Sequence, residues 1–500
     1  MFAGLVLILF AITGTAVAQS DRSPTASWAH DALTRALSAS DDIPDPFHRI
    51  QALAEIAEAQ AAAGDVTGAR VNLEKARESV KDVVGDALQS WARQDIGLAA
   101  VKADDLAAAE SIAESIKDAR LHDIVLGAVV DSRRAARDLA GAQATASRMR
   151  DAARQGMSLR TIAIRQASEG DFAGALSTVR SIQHPRANAL ALGDVAGAIA
   201  RDGGADEARE LIANIRDNQS RSRAQVEVAA AQAGLGNVRG ALTTAGDIDD
   251  KLERAEALAR IAASGTTVSS AEVQQLFTQS LALVSGTRAN ANRKCDVLVE
   301  IARNQLVADD AAASAATLKR VFSDFSKVKG DADRLALLSR IVPIQARAGD
   351  YAAAYFTAMR ADDPSLRPLL VRDVAVAQAE KGDISGAVTM ARSLDDRPAA
   401  AAALFGVLRV QSRTHDVTAL NETIGVTLQA VRVIGNAELR AGALGSLAVA
   451  HAQEGNVDAA QAVFTEAMNT AAAADEGQQR ASVYARIADS LADRHHSFTD

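Results

Sequence analysis

The chain has little of most things that build ordinary globular domains. Of its 500 residues only 8 are proline and 3% are aromatic. Strand-forming residues never cluster in alternating runs, so sheet architectures are excluded and an all-helical fold is expected. There is one cysteine, Cys295, which forms no internal disulfide. Its place at the start of a helical pattern favours a small helix residue over a reactive thiol beside Lys294. A basic excess is also missing. The net charge of −9 argues against a nucleic-acid footprint. Phosphate-cradling glycine loops, HExxH, paired Cys-x-x-Cys and G-x-S-x-G are all absent, so no catalytic residue, metal ligand or cofactor site is assigned and the expectation is a non-enzymatic protein.

One long apolar run stands at the N-terminus. "MFAGLVLILFAITGTAVA" ends in Ala16-Val17-Ala18 before Gln19, which resembles a secretory signal of residues 1–18. No Lys or Arg follows Met1, an atypical leading region, and an uncleaved anchor is the alternative. No cysteine follows the run, which argues against a lipoprotein. The expected location is periplasmic or secreted, with no membrane span after cleavage.

What the chain has in abundance is alanine and one short phrase. "GDVTGA" begins at Gly64, "GDFAGA" at Gly170, "GNVRGA" at Gly236, "GDYAAA" at Gly349, "GDISGA" at Gly382 and "GNVDAA" at Gly455. Degenerate copies centre on Asp105, Asp138, Gly204, Ser270, Asp310 and Asp416. With the Asp or Asn as anchor, the positions are 65, 105, 138, 171, 204, 237, 270, 310, 350, 383, 416 and 456, and every spacing is 33 or 40. The difference of seven is about two helical turns and returns the chain to the same face. Glycine fits the left-handed position past a helix end, and the following Asp fits a helix N-cap. Ser269, with Glu272, reads as a capping box.

Upstream of each anchor, apolar residues recur 12, 9 and 8 positions before it, as in Leu159, Ile162 and Ala163 or Leu192, Val195 and Ala196. This is the stripe of an amphipathic first helix. Four residues after the anchor stands alanine in nine copies, including Ala69, Ala175, Ala241 and Ala387, implying close approach of a second helix.

"GDYAAAYF" after "RLALLSRIVPIQARA" resembles a tetratricopeptide repeat, over nearly all of residues 49–494. The family's large first-helix aromatics are replaced by Leu, Val and Gln, and its terminal proline is mostly missing. The resemblance implies an all-α fold, a right-handed α-solenoid superhelix of about twelve helix-turn-helix repeats. Residues 19–48 are expected to form an N-terminal capping region, with a lone leading helix bearing Trp28, Leu33 and Leu37. Residues 49–479 form the array. Residues 480–500 supply a capping helix without its partner and a polar tail, whose His495-His496 reads as a solvated end rather than a metal site.

Gln60, Gln166, Gln232, Gln305, Gln345, Gln378 and Gln411 stand five before their anchors. They are expected to satisfy backbone groups at neighbouring helix ends, with a ligand-facing ladder as the alternative. Carrying over the family's groove positions gives Arg134, Arg160, Arg201, Arg223, Arg303, Arg347, Arg372 and Arg409, with Arg413 and Lys102. Acids at the same positions are Glu58, Asp131, Glu256, Asp296 and Glu380. A basic-leaning groove would suit an acidic peptide segment of a protein partner. The functional expectation is an envelope protein-interaction scaffold; an anionic glycan bound during export, or a scaffold subunit of an envelope enzyme complex, are the alternatives.

Overall fold

Twenty-six α-helices and no strand are found among the described residues of the computed structural model, which are 24–265, 269–363, 366–414, 417–474 and 477–492. The leader, the Asp416 anchor and His495-His496 lie outside them. A single helix, α1 (Pro24–Asp41), comes first. Twelve pairs follow: α2 (Pro46–Ala62) and α3 (Val66–Ser79), α4 (Asp86–Lys102) and α5 (Leu106–Glu114), α6 (Ala119–Ala135) and α7 (Leu139–Ala146), α8 (Ala152–Ser168) and α9 (Phe172–Ser181). Next are α10 (Pro185–Arg201) and α11 (Ala205–Ala213), α12 (Asn218–Gly234) and α13 (Val238–Gly246), α14 (Lys251–Ala262) and α15 (Ser270–Ser285), α16 (Ala291–Val307) and α17 (Ala311–Asp324). The last are α18 (Asp331–Arg347) and α19 (Tyr351–Ala358), α20 (Leu366–Glu380) and α21 (Ile384–Arg392), α22 (Arg397–Gln411) and α23 (Val417–Arg432), α24 (Ala437–Gln453) and α25 (Val457–Ala472). The chain ends in α26 (Gly477–Ala492). This is an all-α solenoid of repeated helix pairs.

The turns follow the capping logic of the sequence. Asp65, Asp171, Asp350 and Asp383 each accept a hydrogen bond from the backbone N–H three residues on, and Ser269 with Glu272 forms the capping box. The residue before these four anchors is a left-handed glycine, with Gly64 at φ 87° and Gly349 at 82°. In copies without glycine the strain falls on an ordinary residue. The three non-glycine residues with positive φ are Asp104, Arg137 and Asp309, each one before a degenerate anchor.

The two spacings have one origin. The N-caps of the first helices stand a constant twenty residues before the anchor, as in Asp45 to Asp65, Asp151 to Asp171 and Asn290 to Asp310. The second helix varies: α5, for instance, has 9 residues and α15 has 16. The extra seven residues therefore lengthen the second helix and leave the first-helix layer unchanged. Ala69, Ala175, Ala241 and Ala387 are fully buried, which fits backbones meeting there.

Another column escaped notice in the sequence. Two residues before most first-helix caps sits a buried apolar side chain, among them Ile43, Ile182, Ile215, Ile248, Val328 and Ile434. Its carbonyl accepts from a long side chain six residues on, as in Arg221 to Ile215, Arg254 to Ile248 and Arg440 to Ile434. The inter-repeat turns that carry both features are thereby pinned on their apolar and their polar side.

The helices form two compact units, Met1–Val129 with Ala379–Asp500, and Val130–Gln378. In the second unit, α8, α10, α12, α14, α16 and α18 pack side by side in that order. In the first unit the layer runs α22, α24, α26, α2, α4, across the chain termini. Here the leading and trailing helices meet. The leading helix α1 packs along α26 and serves as the second helix that α26 lacks in sequence. Trp28 stacks on Phe464 with ring centroids 5.1 Å apart and donates from Nε1 to Gln461 Oε1 at 2.9 Å. One apolar core contains Trp28, Leu33, Ile56, Leu444, Phe464 and Ile487. An end helix would expose this surface; joining the ends buries it.

Candidate functional site: the charged face of the first-helix layer

The first helices bury positions 9 and 8 before the anchors and most of those 12 before, and this leaves positions 14, 11, 10, 7 and 3 toward another face. In the Val130–Gln378 unit that face carries ion pairs running from helix to helix. Arg160 of α8 donates from Nε to Asp194 of α10 at 2.5 Å. Arg260 of α14 grips Glu227 of α12 with two bonds, 2.6 and 3.0 Å. Arg340 of α18 reaches Asp296 and Glu300 of α16 at 2.5 and 3.0 Å.

Burial sets the electrostatics of this face. It pushes the Glu227 carboxyl up, but the hydrogen bond to Arg260 and the charges of Arg260, Arg201 and Arg223 outweigh it and hold the group below the usual carboxylate range. Glu256 goes the other way: burial, with Glu300 and Glu227 nearby, raises it against the pull of Arg223. Glu253 is raised by burial and by Glu256.

The predicted arginines are therefore mostly engaged. Arg134 pairs with Asp131 at 3.1 Å, Arg160 with Asp194, Arg303 with Glu300 and Arg372 with Asp373 at 2.8 Å. Arg201 and Arg223 act on Glu227. Arg347 and Arg409 are exposed, and they belong to different units. In the first unit Lys102 is taken by Glu58, and burial raises Glu55, Glu58 and Asp95 on the same layer.

A basic-leaning face is thus not what the second unit builds. From Arg160 to Arg340 the bases Arg160, Arg201, Arg223, Arg260, Arg303 and Arg340 are matched by Asp194, Glu227, Glu253, Glu256, Asp296 and Glu300. The carry-over from the repeat family omitted the column ten before the anchor. Its signal was available: Asp194, Glu227, Arg260, Glu300 and Arg340 follow one another at the same 33, 33, 40 and 40 spacing as the anchors.

Four of the seven glutamines in the column have a structural job, with a different partner from the one expected. Gln60, Gln166, Gln232 and Gln305 accept at Oε1 from Asn72, Thr178, Thr244 and Thr317, at 2.7 to 2.8 Å. The partner is a side chain twelve residues on, in the second helix of the same pair, rather than backbone at a neighbouring helix end. Cys295 is wholly buried, and burial together with Asp324 and Asp296 pushes its thiol up to about 11. That is the setting of an inert core residue.

Among the described residues no group of three or more His, Cys, Asp or Glu is placed to hold a metal, and no helix is long and apolar enough to cross a membrane.

No family model and no curated protein matches the chain. Solved structures similar to it include the following two. One is the crystal structure of Ton1535 from Thermococcus onnurineus NA1, 15% identical, covering 69% of this chain and 99% of that one, with a TM-score of 0.21. The other is a circular tandem repeat protein with novel repeat topology and enhanced subunit contact surfaces, 12% identical, covering 85% of this chain and 96% of that one, with a TM-score of 0.17. At these TM-scores neither likeness carries an inference about arrangement or role.

Proposed function

We propose that the protein is a non-enzymatic interaction scaffold, tetratricopeptide-like in its repeat. Its partner is a protein segment, bound along the first-helix face of residues 130–378. The observation that supports this most is the row of half-buried, laterally paired charges on that face. Holding charge out of water is costly and gives little net stability. A row of mixed sign offers what a partner of mixed charge can recognise in register. The balance of six bases and six acids counts against the anionic glycan, which would need a net positive field. It also replaces a purely acidic peptide with one carrying both signs. The Ala16-Val17-Ala18 leader supports export, so the partner is sought in the envelope or outside the cell. N-terminal sequencing of the native protein that began before Gln19 would reject cleavage there.

A photocrosslinking residue tests the face itself. Placed at Ala230, one turn from Glu227 on α12, it is expected to give a discrete protein adduct in the producing cell. Placed at Arg239 on the second helix α13 it is expected to give none. Equal adducts from both positions, or none from Ala230, would reject the reading.

A further inference from the structure

One cleft in the Val130–Gln378 unit holds a carboxylate with one oxygen that no donor in the fold reaches. It measures about 800 Å³ and runs between the starts of α10 and α12, with Glu253 of α14 in its wall. Glu253 is 6% exposed. Its Oε1 stands 3.6 Å from Arg293, while its Oε2 is buried with no hydrogen-bond partner. A buried carboxylate oxygen without a donor is costly, and a donor arriving from outside would relieve that cost. The walls beside it are aliphatic: Ile182, Leu190, Leu192 and Ile215. Leu192 is half-buried, although its counterparts Leu53 and Leu159 in other repeats are core residues. The remaining charges lining the cleft are Arg186, Arg216 and Arg223, all exposed, and Asp217, whose carboxylate is occupied in capping α12.

We infer that this cleft is a subsite for a lysine or arginine side chain of the partner segment, its charged head meeting Glu253 Oε2 and its methylene stem lying on Leu190 and Leu192. Long basic side chains divide in this way between apolar wall and charged end. The exposed Arg186 and Arg216 meet acidic residues on either side of that basic residue. The subsite rests on the scaffold reading and narrows it, by requiring a basic residue flanked by acids.

Heptapeptides with a central lysine, norleucine or glutamate between two glutamates are the probes, measured against the full chain by fluorescence anisotropy. Lysine is expected to bind about tenfold more tightly than norleucine, the scale of one hydrogen bond to a charged group, and glutamate most weakly. Glu253→Gln keeps the shape and removes the charge, so the lysine advantage should vanish while norleucine binding is unchanged. The wild-type protein supplies a second readout. Glu253 shares its surroundings with Glu256, Asp250, Arg223 and Arg293. The lysine advantage should shrink as the pH falls through its raised titration range, with the norleucine peptide unaffected. No advantage of lysine over norleucine in the wild type, or an advantage that survives in Glu253→Gln, overturns the subsite. The Ala230 crosslink separates the two claims. An adduct without a lysine preference sinks the subsite alone, whereas loss of both sinks the scaffold.

Discussion

Trp28 lies against Phe464 with their ring planes 12° apart, so a residue near the start of the described chain packs face to face with one near its end. The contact joins α1 to α25 and places both in the core beneath α26. Trp28→Ala should remove a stacked ring and the bond to Gln461, at a cost of about 3–5 kcal/mol for the local unit. Because repeat proteins couple mainly to neighbours, the loss should be regional. Hydrogen exchange is expected to speed up in 24–41 and 457–472 and to stay unchanged in 220–262. Unaltered protection in 24–41 would show that α1 does not close the array.

The left-handed positions predict opposite signs for two simple changes. Asp309 sits at φ 59° and Gly349 at φ 82° in equivalent turns. Asp309→Gly should stabilise its repeat by about 0.5–1 kcal/mol, through relief of strain partly offset by a more flexible unfolded chain. Gly349→Ala should destabilise its own by about 1–2 kcal/mol. Denaturant melts of the two variants check this, and a shared sign would refute the turn assignment.

The Gln232–Thr244 bond is buried at both ends. Removing one partner leaves the other unsatisfied, so Gln232→Leu or Thr244→Val alone should each cost about 1–3 kcal/mol. The double variant should recover much of that. A double-mutant cycle reads the coupling; simple additivity would mean that the bond carries no weight.

Arg160 and Arg347 were grouped together on sequence, yet they should respond differently to charge reversal. Arg160 and Asp194 each keep only 25% of their side-chain surface, so Arg160→Glu sets two half-buried carboxylates against each other. The expected loss is about 1–3 kcal/mol, discounted from the figure for a fully buried pair. Arg347→Glu, on an exposed site, should stay within about 0.5 kcal/mol. Equal melting of the two variants would contradict the lateral pairing.

Glu256 predicts a pH dependence whose sign follows from burial. Its carboxyl is raised in the folded protein, so the fold retains that proton where the unfolded chain has released it. The contribution is fully present below the unfolded range and is lost as pH rises through the folded one. Glu256→Gln should therefore stabilise α14 more at pH 7 than at pH 5, read by hydrogen exchange corrected for intrinsic rates. An equal gain at both values would place Glu256 in an ordinary aqueous setting.

Helix pairing, the turn positions and the alanine contact were legible in the sequence because each rests on local chemistry. Gly64 and Asp65 act on backbone groups a few residues away, and Ala175 repeats a demand that every pair makes. The register located the degenerate anchors, but that Asp104, Arg137 and Asp309 before them take the left-handed conformation appeared only in the structure. The tertiary structure alone decided which distant surfaces meet. Trp28 and Phe464 are 436 positions apart, and nothing near Trp28 distinguishes a cap from a missing second helix. Arg160 reads as a free groove charge until α10 lies beside α8 and brings Asp194 within reach. Glu253 reads as one more solvated helix acid until the neighbouring first helices enclose it. Local propensity acts over a turn or two of chain, whereas desolvation and ion pairing depend on which helices pack together; the first is written in short spacings, and the second exists only once the layer has formed.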